Sequence, residues 1–101
     1  VTITSDLAEG VTGTNALYTD VWTSMGQEAE AELRRRHLAD YQITPEVFAH
    51  AEDDAIFMHC LPAHRGEEVS HEMMEHARSM VFDQAENRLH SFKAVLLDEL
   101  A

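Results

Sequence analysis

Cations are scarce in this chain: 7 Lys and Arg stand against 19 Asp and Glu in 101 residues, a formal charge of −12 with histidine neutral. So acidic a surface repels phosphate backbones and anionic lipid, since binding either needs clustered basic groups. Nucleic acid and membrane are therefore excluded as partners, and a small anionic ligand stays open only if some of the seven cations converge. Cysteine is nearly absent, and Cys60 alone cannot form an internal disulfide, which fits a reducing, cytoplasmic setting better than a secreted scaffold. No apolar run reaches the roughly 18–20 residues of a membrane-spanning helix. Val1 opens neither a signal peptide nor an initiator methionine. The chain is expected to be processed or cut from something longer. With 2 Pro and 4 Gly there is no Gly/Ser linker, and neither repeats nor low-complexity stretches occur. What is present is a 45% hydrophobic content, enough for the core of one small domain.

Short apolar runs alternate with helical patterns. Val1–Thr4, Ala16–Thr19, Ala55–Met58 and Ser79–Phe82 read as buried strands. Helices are expected at Leu7–Val11, closed by Gly13, at Gln27–Asp40, just after Pro45, at Glu67–Ala77 and from Glu86 to Leu100. Strand followed by helix, repeated, predicts an α/β fold with a partial doubly wound parallel sheet flanked by helices. In the Gln27–Asp40 segment, Glu28, Glu30 and Glu32 precede Arg34, Arg35 and Arg36, an order that suits the helix dipole. Glu30 with Arg34 and Glu32 with Arg36 stand at the favourable i, i+4 spacing, which assigns three cations to a solvated face. The last helix carries Leu89, Phe92, Leu96 and Leu100 along one stripe, which needs a partner surface.

Ligands of doubly wound sheets bind beyond the carboxyl ends of the strands. Three segments fall there: Asp20 to Gly26, His59 to Gly66 and Asp83 to Arg88, all expected on one edge. Asp20 reads equally as a loop brace or as a counter-charge for an ammonium. Cys60 alone reads as a small buried hydrophobe, whereas His59, His64 and Arg65, if they face it, would lower its thiol pKa. Strand alternation points His59 and Cys60 to opposite faces. Cys60, His64, His71 and His76 lack the paired spacing of a zinc site, and no metal is expected. No G-x-G-x-x-G or Walker pattern occurs, and Ser24 lacks the surroundings of a hydrolase elbow, so no cofactor is expected either. An acid on one loop, a thiol on a second and Arg88 on a third can together hold an amino acid and an anion.

The runs Asp20-Val-Trp-Thr-Ser-Met-Gly-Gln-Glu28, His59-Cys-Leu-Pro-Ala-His-Arg-Gly-Glu-Glu-Val69 and Val81-Phe-Asp-Gln-Ala-Glu-Asn-Arg-Leu-His90 resemble the late motifs of the ornithine carbamoyltransferase family. The resemblance spans essentially the whole chain. It implies that residues 1–101 are the C-terminal portion of the ornithine-binding domain, including the C-terminal helix, with the carbamoyl-phosphate-binding domain and its Ser-Thr-Arg-Thr-Arg loop absent. It implies transfer of a carbamoyl group from carbamoyl phosphate to the side-chain amine of L-ornithine in a trimeric enzyme, giving L-citrulline and phosphate. Asp20 would hold the α-amino group, and Ser24 and Met25 would belong to a mobile loop closing over it. Cys60 would be the proton acceptor, Cys60 and Leu61 would line the carbamoyl site, Arg88 would contact carbamoyl phosphate, and the Leu61–Pro62 bond would be cis. This polypeptide alone is expected to be inactive. The alternatives are a putrescine or acetylornithine carbamoyltransferase, against which the Ser-Met-Gly loop argues, and a non-catalytic α/β amino-acid-binding or interaction module.

Overall fold

The computed structural model describes residues 1–101. Two parallel strands, β1 (Ala16–Thr19) and β2 (Ile56–His59), pair in the register Ala16 to Ile56 through Thr19 to His59. Helices α1 (Leu7–Val11), α2 (Ala31–Leu38), α3 (Pro45–Phe48), α4 (His71–Met74) and α5 (Val81–Leu100) complete the chain. The α/β class holds, but the sheet is narrower than the apolar runs predict. Val1–Thr4 lies in no strand, with Val1 and Ile3 exposed, because β-branched residues favour a strand only where a pleated, half-buried surface receives them. Ser79–Phe82 shrinks to one parallel bridge between Ser79 and Phe57, after which Val81 starts α5 five residues ahead of the expected Glu86. Even so, the β2 edge is used: the N–H of Phe57 donates to the Arg78 carbonyl at 3.0 Å and that of Met80 to the Phe57 carbonyl at 2.8 Å.

Cap chemistry decides the helix ends. Asp6 accepts from the Glu9 N–H at the start of α1, Thr44 from that of Val47 ahead of Pro45 in α3, and Ser70 from that of Met73 in α4. Gly13 takes a φ of +74° just past α1, a conformation glycine adopts without a Cβ penalty. The long helix expected over Gln27–Asp40 is α2 with single 3₁₀ turns before and after it, Glu28–Glu30 and Ala39–Tyr41. The helix expected over Glu67–Ala77 is only α4. Glu68 and Val69 are drawn instead into the interior, where Val69 bridges Ile43.

The core holds Ile43, Phe48, Ala55, Phe57, Val69, Met73, Met74 and Val81, with Phe48 and Phe57 edge to face at 6.5 Å. Arg78 closes it from outside. Its guanidinium sits 4.5 Å above the Phe48 ring, while Nη1 donates to the carbonyls of Glu52, Asp53 and Ala55 at 3.0, 2.8 and 3.2 Å. Beyond its first residue α5 leaves this core, and Leu89, Phe92, Val95, Leu96, Leu97 and Leu100 are all exposed.

Candidate active site

Parallel pairing and the two-residue period of a strand assemble the site. Tyr18 and Asp20 share one face of the β1 edge, Met58 and Cys60 the same face beside them, and Phe57 and His59 the opposite, buried face. Asp20 and Cys60, each one residue past its strand, therefore come side by side although 40 residues separate them, and the Cys60 thiol donates to Asp20 Oδ1 at 3.0 Å. Asp20 Oδ1 also accepts from the Val21 N–H at 2.7 Å.

These contacts set the charge of the pair. The Cys60 thiol, then the Val21 N–H, hold the Asp20 carboxyl below the usual carboxylate range, so it is an anion at neutral pH. Burial, then the neighbouring Asp20, push the Cys60 thiol up. Tyr18 is also raised, by desolvation and then by Cys60. The condition for an electropositive setting at Cys60 is not met: its spatial neighbours are an acid and a phenol, whereas the adjacent cations turn elsewhere. Arg65 pairs with Glu75 at 2.7 Å and His64 with Glu67 at 3.4 Å. His59 points inward.

A polar interior under the Cys60–Pro62 turn escaped sequence reasoning. His59 Nδ1 accepts from the Leu61 N–H at 2.8 Å; since a backbone N–H only donates, Nε2 carries the proton and donates to Glu68 Oε1 at 2.8 Å. The same Oε1 accepts from the His64 N–H at 2.7 Å. His59 and Glu68 are fully buried, and Oε2 of Glu68 has no partner. Leu61, tethered by this pair, has a φ of +57°, a left-handed conformation that costs a non-glycine residue about 1–2 kcal/mol. The Leu61–Pro62 bond is cis. The signal was available: alternation buries His59, a buried imidazole requires a partner, and two glutamates follow within nine residues.

Cys60, Leu61, Pro62, Ala63, Met74 and Arg88 line one cleft of about 590 Å³. Arg88 reaches it from within α5 rather than from a loop. Ser24 and Met25 line a second cleft of about 510 Å³ with Glu28, Arg35 and Glu67, and Arg65 borders both. The structure thus brings Asp20 to Cys60, and Cys60 and Leu61 to Arg88, while Ser24 and Met25 stand in the adjoining cleft. The three arginines of α2 do more than decorate it: Arg34 and Arg36 pair with Glu30 and Glu32 at 3.0 and 3.1 Å as expected, but Arg35 crosses to Glu67 at 2.7 Å. His64, Glu67 and Glu68 offer ligand atoms within 4.8 Å of one another. Of these, Glu67 already takes the guanidinium of Arg35, and Oε1 of Glu68 accepts from two N–H groups.

Residues 1–98 match the family model for the aspartate/ornithine carbamoyltransferase Asp/Orn-binding domain. The chain belongs to this family. An ornithine carbamoyltransferase from Deinococcus radiodurans is 58% identical over 96 residues, 95% of this chain and 31% of the relative. One from Archaeoglobus fulgidus is 56% identical over 92 residues, 91% of this chain and 30% of the relative. The solved ornithine carbamoyltransferase of Pyrococcus furiosus superposes with a TM-score of 0.82 at 54% identity, covering 90% of this chain and 29% of that one. The chain thus spans about a third of the length of the proteins it matches.

Proposed function

We propose that the full-length protein transfers the carbamoyl group of carbamoyl phosphate to the side-chain amine of L-ornithine, giving L-citrulline and phosphate. The observation that carries this reading is the Asp20–Cys60 contact at 3.0 Å beside a cleft that also holds Leu61 and Arg88. Asp20, kept ionised, receives the α-ammonium of ornithine, with Ser24 and Met25 over the bound amino acid. The guanidinium of Arg88 contacts carbamoyl phosphate and offsets charge on the departing phosphate. The amine nitrogen bonds to the carbamoyl carbon, the carbon–oxygen bond to phosphate breaks, and the amine gives up a proton.

Cys60 is the proposed acceptor of that proton, and ligand binding prepares it. As long as Asp20 takes the thiol hydrogen bond, ionisation of Cys60 is opposed. An ammonium at Asp20 competes for the carboxylate and sets a positive charge beside the sulfur, which favours the thiolate. Binding of the amino acid thereby couples to activation of the acceptor.

The carbamoyl-phosphate-binding domain is proposed to come from the rest of the full-length protein, and the assembly to be a trimer in the cytoplasm. No helix is long and apolar enough to cross a membrane. The test is carbamoyl transfer by the full-length protein with ornithine, N-acetylornithine and putrescine as competing acceptors, each read by its own carbamoylated product. Ornithine is expected to be preferred, and Asp20→Asn to raise its KM at least roughly ten-fold through loss of a charged partner. Absence of citrulline, or preference for N-acetylornithine or putrescine, overturns the assignment.

A further inference from the structure

We propose that Arg34 is a positioning residue for the amino-acid substrate, latching the loop between Asp20 and Glu28 to α2 and so setting where Ser24 and Met25 stand relative to Asp20. The substrate assignment rests on the carbamoyl-transfer reading; the latch rests on geometry alone. Within the loop, hydrogen bonds are short-range. The Val21 N–H donates to Asp20 Oδ1 at 2.7 Å, the Gln27 N–H to the Ser24 carbonyl at 3.1 Å and the Gly26 N–H to Glu28 Oε1 at 3.0 Å. Such bonds shape a loop without fixing its place in the molecule. Of the hydrogen bonds made by residues 21–27, only the one from Arg34 Nη1 to the Trp22 carbonyl, at 3.0 Å, spans more than three residues of sequence.

The guanidinium is aimed at that carbonyl by Glu30, whose Oε2 accepts from Arg34 Nε and Nη2 at 3.3 and 3.0 Å. A planar fork satisfies both partners at once, which a lysine ammonium cannot reproduce. Trp22 lies two residues after Asp20 and two before Ser24, so displacement of its carbonyl moves both arms of the site. Farther on, the tip is held only by the two local bonds at Ser24 and Gly26. Met25 is 97% exposed, and Gly26 has a φ of +88° with open space where a side chain would stand. Arg34 itself lies outside the core, on a helix with no buried residue. Its loss therefore frees the loop and leaves the fold in place.

The test compares Arg34→Met and Arg34→Lys with wild type in the full-length protein, by steady-state kinetics and by acrylamide quenching of Trp22, with any tryptophan elsewhere replaced by phenylalanine. In Arg34→Met, quenching of Trp22 is expected to rise and the KM for ornithine to increase roughly ten-fold, as for loss of one charge-assisted hydrogen bond, with the KM for carbamoyl phosphate unchanged. Arg34→Lys is expected in between, and it decides the matter should Arg34→Met fail to fold. An unchanged ornithine KM overturns the inference whatever the fluorescence does, and so does an equal rise in both KM values, which marks a general structural role. Wild-type protein that forms no citrulline overturns the transfer reading only; unchanged Trp22 quenching in both variants would then overturn the latch as well.

Discussion

A thiol hydrogen-bonded to a carboxylate resists ionisation, because its thiolate would face a second anion at 3.0 Å. The pH dependence of Cys60 reactivity follows directly. Its alkylation by iodoacetamide should be slow near neutrality and rise only above the ordinary thiol range of about 8.5. Asp20→Asn removes one of the two main causes of the raised pKa and leaves burial, so alkylation at pH 8 should quicken several-fold without reaching the rate of a free thiol. A rate equal to wild type would mean that the contact carries no charge effect. On the other partner, Asp20 has a depressed pKa, so its contribution is present above the unfolded carboxyl pKa of about 3.9 and fades as pH falls through the lower folded value. Deeper in, Glu68→Ala leaves the fully buried His59 Nε2–H and the part-buried His64 N–H facing no acceptor. A loss of about 3 kcal/mol is expected by urea denaturation, with Glu68→Gln recovering part of it through its remaining amide oxygen. Asp20, Cys60 and Arg88 were legible as candidates because strand ends and charge scarcity single them out. The partners of Cys60 were not: alternation already turned His59 away, but the pairing that sets Asp20 beside the thiol spans 40 residues, and nothing local shows that Glu75 captures Arg65.

Among the elements, β2 organises the rest: Phe57 fills the core, His59 two residues on is buried with it, and Cys60 follows as the first residue past the strand. The turn that feeds this strand depends on Arg78, which gathers three carbonyls and covers Phe48. Arg78→Met should lower the stability of the full-length protein by about 2 kcal/mol, the scale of hydrogen bonds to a charged donor, with Arg78→Lys intermediate in urea midpoint. An unchanged midpoint for Arg78→Met would show that water replaces the guanidinium at no cost. The parallel pair, α1 and α3 were legible from apolar runs, from Gly13 closing α1 and from Pro45 opening α3. Val1–Thr4 and Ser79–Phe82 were not, because short β-branched or apolar runs look alike whether a neighbouring strand receives them, as at β2, or a helix takes them up, as at Val81. Glu67 to Ser70 misled for another reason: Glu68 is claimed by His59 and Val69 by Ile43, while Ser70 caps α4 instead of continuing a longer helix.

At the scale of the molecule, α5 governs the shape. The radius of gyration is 15.7 Å, against roughly 13 Å for a compact chain of this length, and a 20-residue helix accounts for the difference by extending about 30 Å. Its exposed Leu89, Phe92, Leu96 and Leu100 lie on one stripe, an apolar face of the kind that marks an interaction surface. Two forces then compete when this 101-residue polypeptide is prepared by itself. Burial of the stripe against another copy is favourable at about 25 cal/mol per Å² of apolar surface, whereas bringing together two chains of charge −12 is opposed by long-range repulsion. Salt screens the second and leaves the first, the Debye length falling from about 30 Å at 0.01 M to about 10 Å at 0.1 M. The isolated polypeptide should therefore sediment closer to a monomer at low ionic strength and associate as salt is added, the opposite of assembly through ion pairs. Leu89→Glu together with Leu96→Glu should abolish the association at every salt concentration while circular dichroism retains the helix signal. Association that weakens with salt, or that survives the double substitution, would place the contact somewhere other than α5.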